Sequence, residues 1–137
     1  MGRLVGKRLR LDEVRCEIQD SRVLARVQLS NGGLSHIGLA TGFLPEANLE
    51  RVAAQATINA IRMFAAFTGA DRPVVTLQDV DVVTSPTTRT VLVLLRMGQG
   101  DQARFLSGSA AIREDATTAA ARAVLNGLNR QLEALLR

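Results

Sequence analysis

Apolar and polar residues alternate through three successive stretches, the pattern then lengthens to a helical period, and the whole series runs a second time. Leu9, Leu11, Val14, Cys16 and Ile18 alternate with polar neighbours, which predicts a strand over residues 8–19 with one buried face and a bulge at Asp12-Glu13. Asp20-Ser21 reads as a short turn. Val23, Ala25, Val27 and Leu29 form a second alternating run, closed by Asn31-Gly32-Gly33. Asn and Gly tolerate positive φ, so that tripeptide is a strong hairpin signal. Residues 34–40 return as a third strand. Thr41-Gly42-Phe43-Leu44-Pro45 is expected to break the sheet, with Pro45 in the first turn of a helix where its missing N–H costs nothing. Leu49, Val52, Ala53, Ala56, Ile58, Ala60, Ile61, Phe64 and Phe67 give that helix a broad apolar face. Gly69 is its expected end, and Ala70-Asp71-Arg72-Pro73 links it to the second series.

The second series predicts strands over 74–84, 89–97 and 103–112. Turns at Ser85-Pro86-Thr87-Thr88 and Gly98-Gln99-Gly100-Asp101 separate them, and Glu114-Asp115 opens a final helix. The likeness extends to letters. Leu11-Asp-Glu-Val14-Arg-Cys16 returns as Leu77-Gln-Asp-Val80-Asp-Val82, and Ala56-Thr-Ile58-Asn59-Ala60-Ile61 as Ala123-Val-Leu125-Asn126-Gly127-Leu128. Leu11 and Leu77 lie 66 residues apart, Ala56 and Ala123 67. A duplicated unit of that size is a supersecondary motif rather than a solenoid repeat. The expected fold is therefore α+β: a single domain of two tandem βββα units, about 8–69 and 74–137, related by an internal pseudo-twofold axis. Its layers would be sheet and helix, with the helices on one face. Val91-Leu92-Val93-Leu94-Leu95 is apolar without interruption, so its strand is expected to be covered on both faces. If helices cover only one, a second subunit is the simplest cover for the other.

Composition narrows the function classes more than it chooses among them. The 47% hydrophobic content is that of a globular chain. No apolar run approaches the about 20 residues of a membrane span, and the opening segment lacks the apolar stretch of a secretory signal. A cytoplasmic protein with no membrane partner is the expectation. Cys16 is the single cysteine, which excludes an internal disulfide and a Cys-rich metal site; a small buried residue is expected there. The net charge of +4 permits nucleic-acid binding without requiring it. With 3% aromatics and no Trp or Tyr, the usual stacking platforms for single strands are missing.

Candidate chemistry is sparse. His36 is the only histidine, and no Cys-His or Ser-His-Asp constellation accompanies it. Its strand parity sets it opposite Ile37, where it could face solvent or a partner; a plain structural role is the first expectation, ligand contact or pH sensing the second. Gly38 and Gly42 precede the first helix, Gly108 and Ser109 the second. Backbone N–H groups at such junctions can hold an anion or carboxylate, or the glycines simply ease a strand-to-helix turn. Asn59 and Asn126 match between the units at helix mid-length, a position that costs Asn some propensity. A bond to the sheet, a bond across a dimer axis, or a ligand would each explain them. Asp12, Glu13, Asp79 and Asp81 also match, and are expected on a solvated face or bulge. Arg3, Lys7, Arg8, Arg10 and Arg15 form the best electrostatic patch, a solvated tail or a phosphate contact.

The tandem βββα order resembles the C-terminal regulatory domain of 2-isopropylmalate synthase. The matching stretches are Gly38-Leu-Ala-Thr-Gly42, Gly108-Ser-Ala-Ala, and the closing Ala119-Ala-Ala-Arg-Ala-Val-Leu-Asn-Gly-Leu-Asn129-Arg130. The resemblance runs from about Leu9 onward and is specific in topology. Gly42-Phe43-Leu44-Pro45-Glu46-Ala47 stands where that family carries a Gly-Pro-Val-Asp-Ala type segment. The resemblance implies a non-enzymatic, homodimerising regulatory or small-metabolite-sensing module, with ligand near Gly38, Gly42, Gly108, Ser109, Asn59 and Asn126 and no cofactor. A protein partner fits the same reading. The alternative is a nucleic-acid-binding module acting through the basic N-terminal segment.

Overall fold

A computed structural model describes residues 9–46, 48–68, 75–98 and 100–135, the last turns of both helices by backbone only. Two βββα units follow one another: β1 (Arg10–Gln19), β2 (Arg22–Asn31), β3 (Leu34–Phe43) and α1 (Leu49–Thr68), then β4 (Val75–Thr84), β5 (Arg89–Met97), β6 (Arg104–Ala111) and α2 (Ala116–Leu135). Each trio of strands is an antiparallel sheet in sequence order. The α+β tandem architecture is thus as the hydrophobic pattern dictates.

The turns explain the pairing. Asp20 (φ 52°) and Gly32 (φ 61°) sit in the left-handed region that short hairpins demand. Between β4 and β5 the Ser85 amide donates to the Thr88 carbonyl at 2.8 Å, and the Thr88 amide returns a bond to Ser85 Oγ at 3.2 Å. A bulge interrupts β1 between Leu11 and Glu13, and a second interrupts β4 between Leu77 and Asp79. Both fall at the same place in their units, so the extra residue belongs to the duplicated motif.

Alternation sets the faces. Val23, Ala25, Val27 and Leu29 of β2, and Val91, Val93 and Leu95 of β5, are buried beneath the helices. α1 lies on β2 and β3 and reaches β4; α2 lies on β5 and β6 and reaches β1; the helices also pack on each other. Burial on α1 therefore extends well beyond one stripe, taking in Ala53, Ala54, Ala56, Thr57, Ile58, Ala60 and Phe64. Arg62 Nη2 donates to the Val75 carbonyl at 2.6 Å and Arg51 Nη2 to the Leu77 carbonyl at 3.5 Å, which satisfies backbone oxygens of β4 and ties the units together. All of this closes around one buried hydrophobic cluster.

Four expectations are corrected. β3 does not stop at Ala40. It runs to Phe43, paired across to Arg22, because Thr41 and Phe43 continue the outer face while Gly42 continues the inner one. Pro45 and Glu46 consequently lie in a turn, after a cis Leu44–Pro45 bond, and Asn48 is the true helix cap, accepting from the Arg51 amide at 2.7 Å. His36 does not face outward: it sits half-buried on the inner face, its ring edge-on to Phe64 with centroids 4.6 Å apart. The β5 strand is covered on one face only, leaving Leu92 and Leu94 exposed. Gly69 and the link over 70–73 lie outside the described residues.

Candidate functional site

The residues singled out at the sheet-to-helix junctions come together in two matching groups. In the first unit Gly38 lies opposite Val27 with its Cα hydrogens against α1. A Cβ there would run into the Ala56 carbonyl oxygen and the Ala60 backbone. One residue on, the Leu39 carbonyl accepts from Asn59 Nδ2 at 2.7 Å. Asn59 Oδ1 in turn takes Gln55 Nε2 at 3.1 Å. In the second unit a Cβ on Gly108 would meet the Ala123 carbonyl oxygen and, at 2.7 Å, the Gly127 nitrogen. The adjacent Ser109 carbonyl accepts from Asn126 Nδ2 at 2.9 Å. Each unit therefore uses one device. A glycine lets the helix backbone touch the third strand, and a helical asparagine fastens the next carbonyl of that edge strand. The glycine space is filled by helix backbone, and one asparagine N–H is committed to the sheet. Gly42 stands apart, half-buried opposite Val23.

Both helix starts are capped by side chains. Asp115 accepts from the Thr118 amide at 2.7 Å, from Thr117 Oγ1 at 2.6 Å and from Thr118 Oγ1 at 3.0 Å. The Thr117 hydroxyl, foremost among these donors, holds the Asp115 carboxyl below its ordinary value, against a smaller opposing effect of burial. Cys16, on the inner face of β1, is half-buried beside this cap. Burial pushes its thiol above the ordinary value, with Asp115 and Glu50 adding to the rise and a Thr117 hydrogen bond opposing it. Such a thiol is a poor nucleophile at neutral pH. No group of three or more His, Cys, Asp or Glu among the described residues is placed to hold a metal ion.

No family model and no curated protein matches the chain.

Of the basic cluster, Arg3, Lys7 and Arg8 lie outside the described residues. Arg10 and Arg15 are exposed on β1, but each is engaged: Arg10 Nε with Asp12 at 3.2 Å, Arg15 Nη2 with Glu13 at 3.3 Å. Glu13 also holds Arg26 at 2.6 Å. Asp79 and Asp81 stand exposed on β4 and accept from the amides of the residues that follow them, Val80 and Val82, both at 2.9 Å. The matching carboxylates thus sit at the bulges and on the outer faces, as expected.

What the pattern of letters missed is the state of those outer faces. Leu24, Ile37, Leu39 and Phe43 are exposed on the first sheet; Val83, Leu92, Leu94 and Phe105 on the second. Phe43 and Phe105 are the most open, at 63% and 62%. Alternation assigned each of them a face, but not whether another element would cover it. A shallow depression of about 460 Å³ adjoins Phe43, walled by Gln19, Asp20, Ser21 and Arg22 at the β1–β2 turn. No helix among the described residues is long and apolar enough to cross a membrane.

Proposed function

We propose that this chain is a non-enzymatic module that works by associating with a second copy of itself, a small metabolite or protein partner acting as effector of that association. The observation that carries the reading is the pair of sheet faces with large apolar side chains left in water. These side chains are about 40–60% exposed, so covering one contributes about 1–2 kcal/mol, and patches of this kind mark interaction sites. The tandem βββα order, similar to a regulatory domain that senses an end product at a dimer interface, supports the regulatory form. An effector would act by binding one dimer arrangement more tightly than another. The fastening of Gly38, Gly108, Asn59 and Asn126 into the helix–sheet contact leaves Gly42, the Ser109 side chain and neighbouring exposed surface as the more open part of the ligand region.

Sedimentation velocity over a hundredfold range of protein concentration tests this, run with and without branched-chain amino acids. A dimer that tightens or changes shape with ligand is the expected result. A monomer at every concentration refutes it. The nucleic-acid reading has less behind it, because the described arginines of the basic cluster already hold carboxylates. Binding to a DNA or RNA probe that falls steeply with salt would restore it.

A further inference from the structure

Resting on that dimer reading, we infer that the two copies meet through one face only, the outer face of the second sheet. Their β5 strands run in the same direction, so that β4 of each copy covers β6 of the other.

The register of the sheet sets this face out in rows. Asp79, Leu94 and Ser107 lie side by side, then Asp81, Leu92 and Ser109, then Val83, Thr90 and Ala111. Leucines fill the middle, with carboxylates on one flank and hydroxyl or small side chains on the other. Asp79, Asp81, Leu92, Leu94, Ser107 and Ser109 are all exposed. Arg96 lies a row beyond Asp79, beside Phe105 at the end of the face, where its long stem lets the guanidinium stay in water at the rim. The first sheet is built differently. Its middle strand sends Arg22, Leu24, Arg26 and Gln28 outward, opposite the buried Val23, Ala25 and Val27. Covering that face would take two guanidinium groups out of water at its centre.

Charge decides how the second copy lies. Turned about an axis running along β5, it keeps each row on its own row and exchanges the flanks. Asp79 then meets the second copy's Ser107, Asp81 its Ser109 and Val83 its Ala111, while leucine packs on leucine. Both carboxylates gain hydroxyl donors, and larger side chains meet smaller ones. An axis across the strands would instead lay β4 on β4 and set Asp79 against the second copy's Asp81, like charges together in both halves of the contact. The face therefore complements itself in one orientation, as a twofold contact between copies requires. Area sets the strength. Three strands of eight to ten residues, about 4.8 Å apart and rising about 3.4 Å per residue, give a face of roughly 440 Å². Two such faces cover roughly 900 Å² in projection, the size of weak and transient complexes rather than permanent ones. The dimer is accordingly concentration-dependent, and a modest difference in effector affinity between its states is enough to tip it.

Sedimentation velocity on the full chain, without effector and at about 0.1 M salt so that charge is only partly screened, tests this. Leu94→Asp should weaken dimerisation at least tenfold. Leu24→Asp, on the face that this arrangement leaves in water, should not change it. Ser109→Asp should also weaken it at least tenfold, because it sets a carboxylate against the second copy's Asp81 in both halves of the contact. Adding Asp81→Lys to the same chain should restore the dimer to within about threefold of wild type. Within one chain Leu92 separates these two positions, so the recovery reports the contact between copies. Ser107→Asp with Asp79→Lys is the second pair, and circular dichroism checks that each variant folds. A wild-type dimer that survives Leu94→Asp, or a Ser109→Asp defect that Asp81→Lys does not repair, would overturn the arrangement while leaving the dimer standing. A wild-type monomer would overturn both.

Discussion

Replacing Gly38 with alanine adds one carbon at the tightest point of the first helix–sheet contact. The Cβ would meet three backbone atoms of α1: the Ala56 oxygen, the Ala60 nitrogen and, at 3.0 Å, the Ala60 Cα. None of these is the end of a flexible side chain, so the helix as a whole must lift away from β3. Lifting it also stretches the 2.7 Å bond from Asn59 to the Leu39 carbonyl and loosens Phe64, which is fully buried. Overpacking a well-filled core costs typically about 1–3 kcal/mol, more where backbone must move, and losing the Asn59 bond adds about 1 kcal/mol. We expect a loss of about 3–4 kcal/mol. At an unfolding entropy near 2.1 cal/mol/K per residue, a chain of 137 residues should melt roughly 10–14 °C lower. Gly33→Ala is the control, since a Cβ there meets nothing within 4 Å; it should leave stability unchanged or raise it by up to about 1 kcal/mol. Thermal and urea unfolding followed by circular dichroism reads both. If Gly38→Ala melts within a degree or two of Gly33→Ala, the close approach of α1 to β3 is wrong, and with it the structural account of Gly38 and Gly108.

Three further outcomes follow from the same contacts. Asn59→Ala and Asn126→Ala should each cost only about 0.5 kcal/mol, because a lost bond of about 1 kcal/mol is partly offset by the better helix propensity of alanine; the two changes lie in different units and should add, as denaturant midpoints will show. Asp115→Ala should cost about 1–2 kcal/mol as a lost helix cap. The Asp115 carboxyl titrates below its unfolded value, so its stabilisation is present above that value and is lost as pH falls through the folded one. The wild type should accordingly lose stability below about pH 4, and the stability gap between wild type and Asp115→Ala should shrink there; a gap constant with pH contradicts the capping account. Cys16 should react with a maleimide at pH 8 at least several-fold more slowly than the same thiol in urea, because burial keeps it protonated; equal rates would place it on the open surface.

Much of the fold was legible because local rules and tertiary packing agree here. Each hairpin turn carries residues that accept its backbone angles, and the bulge at Asp12-Glu13 shows as a break in alternation. The duplication is written in two nearly repeated segments. The end of β3 was illegible for a specific reason. Gly42 near Pro45 reads as a loop, yet pairing with Arg22 and Val23 holds the chain extended to Phe43, and an edge strand's length is decided by its neighbour. His36 was misplaced because an imidazole beside an apolar residue suits either face, and what decides between them is the Phe64 ring brought across from α1.

The junction residues divide the same way. Sequence alone determined that Asn59 and Asn126 are equivalent and that Gly38 and Gly108 precede helices. Only the folded chain decided that each asparagine reaches the carbonyl beside each glycine, since that bond joins residues 20 and 17 positions apart. The outer faces complete the contrast. Alternation determined which side chains point away from the helices, because strand geometry is local. Whether Leu92, Leu94, Phe43 and Phe105 would be covered depended on where every other element came to rest, and the helices went to the opposite faces, where the core is.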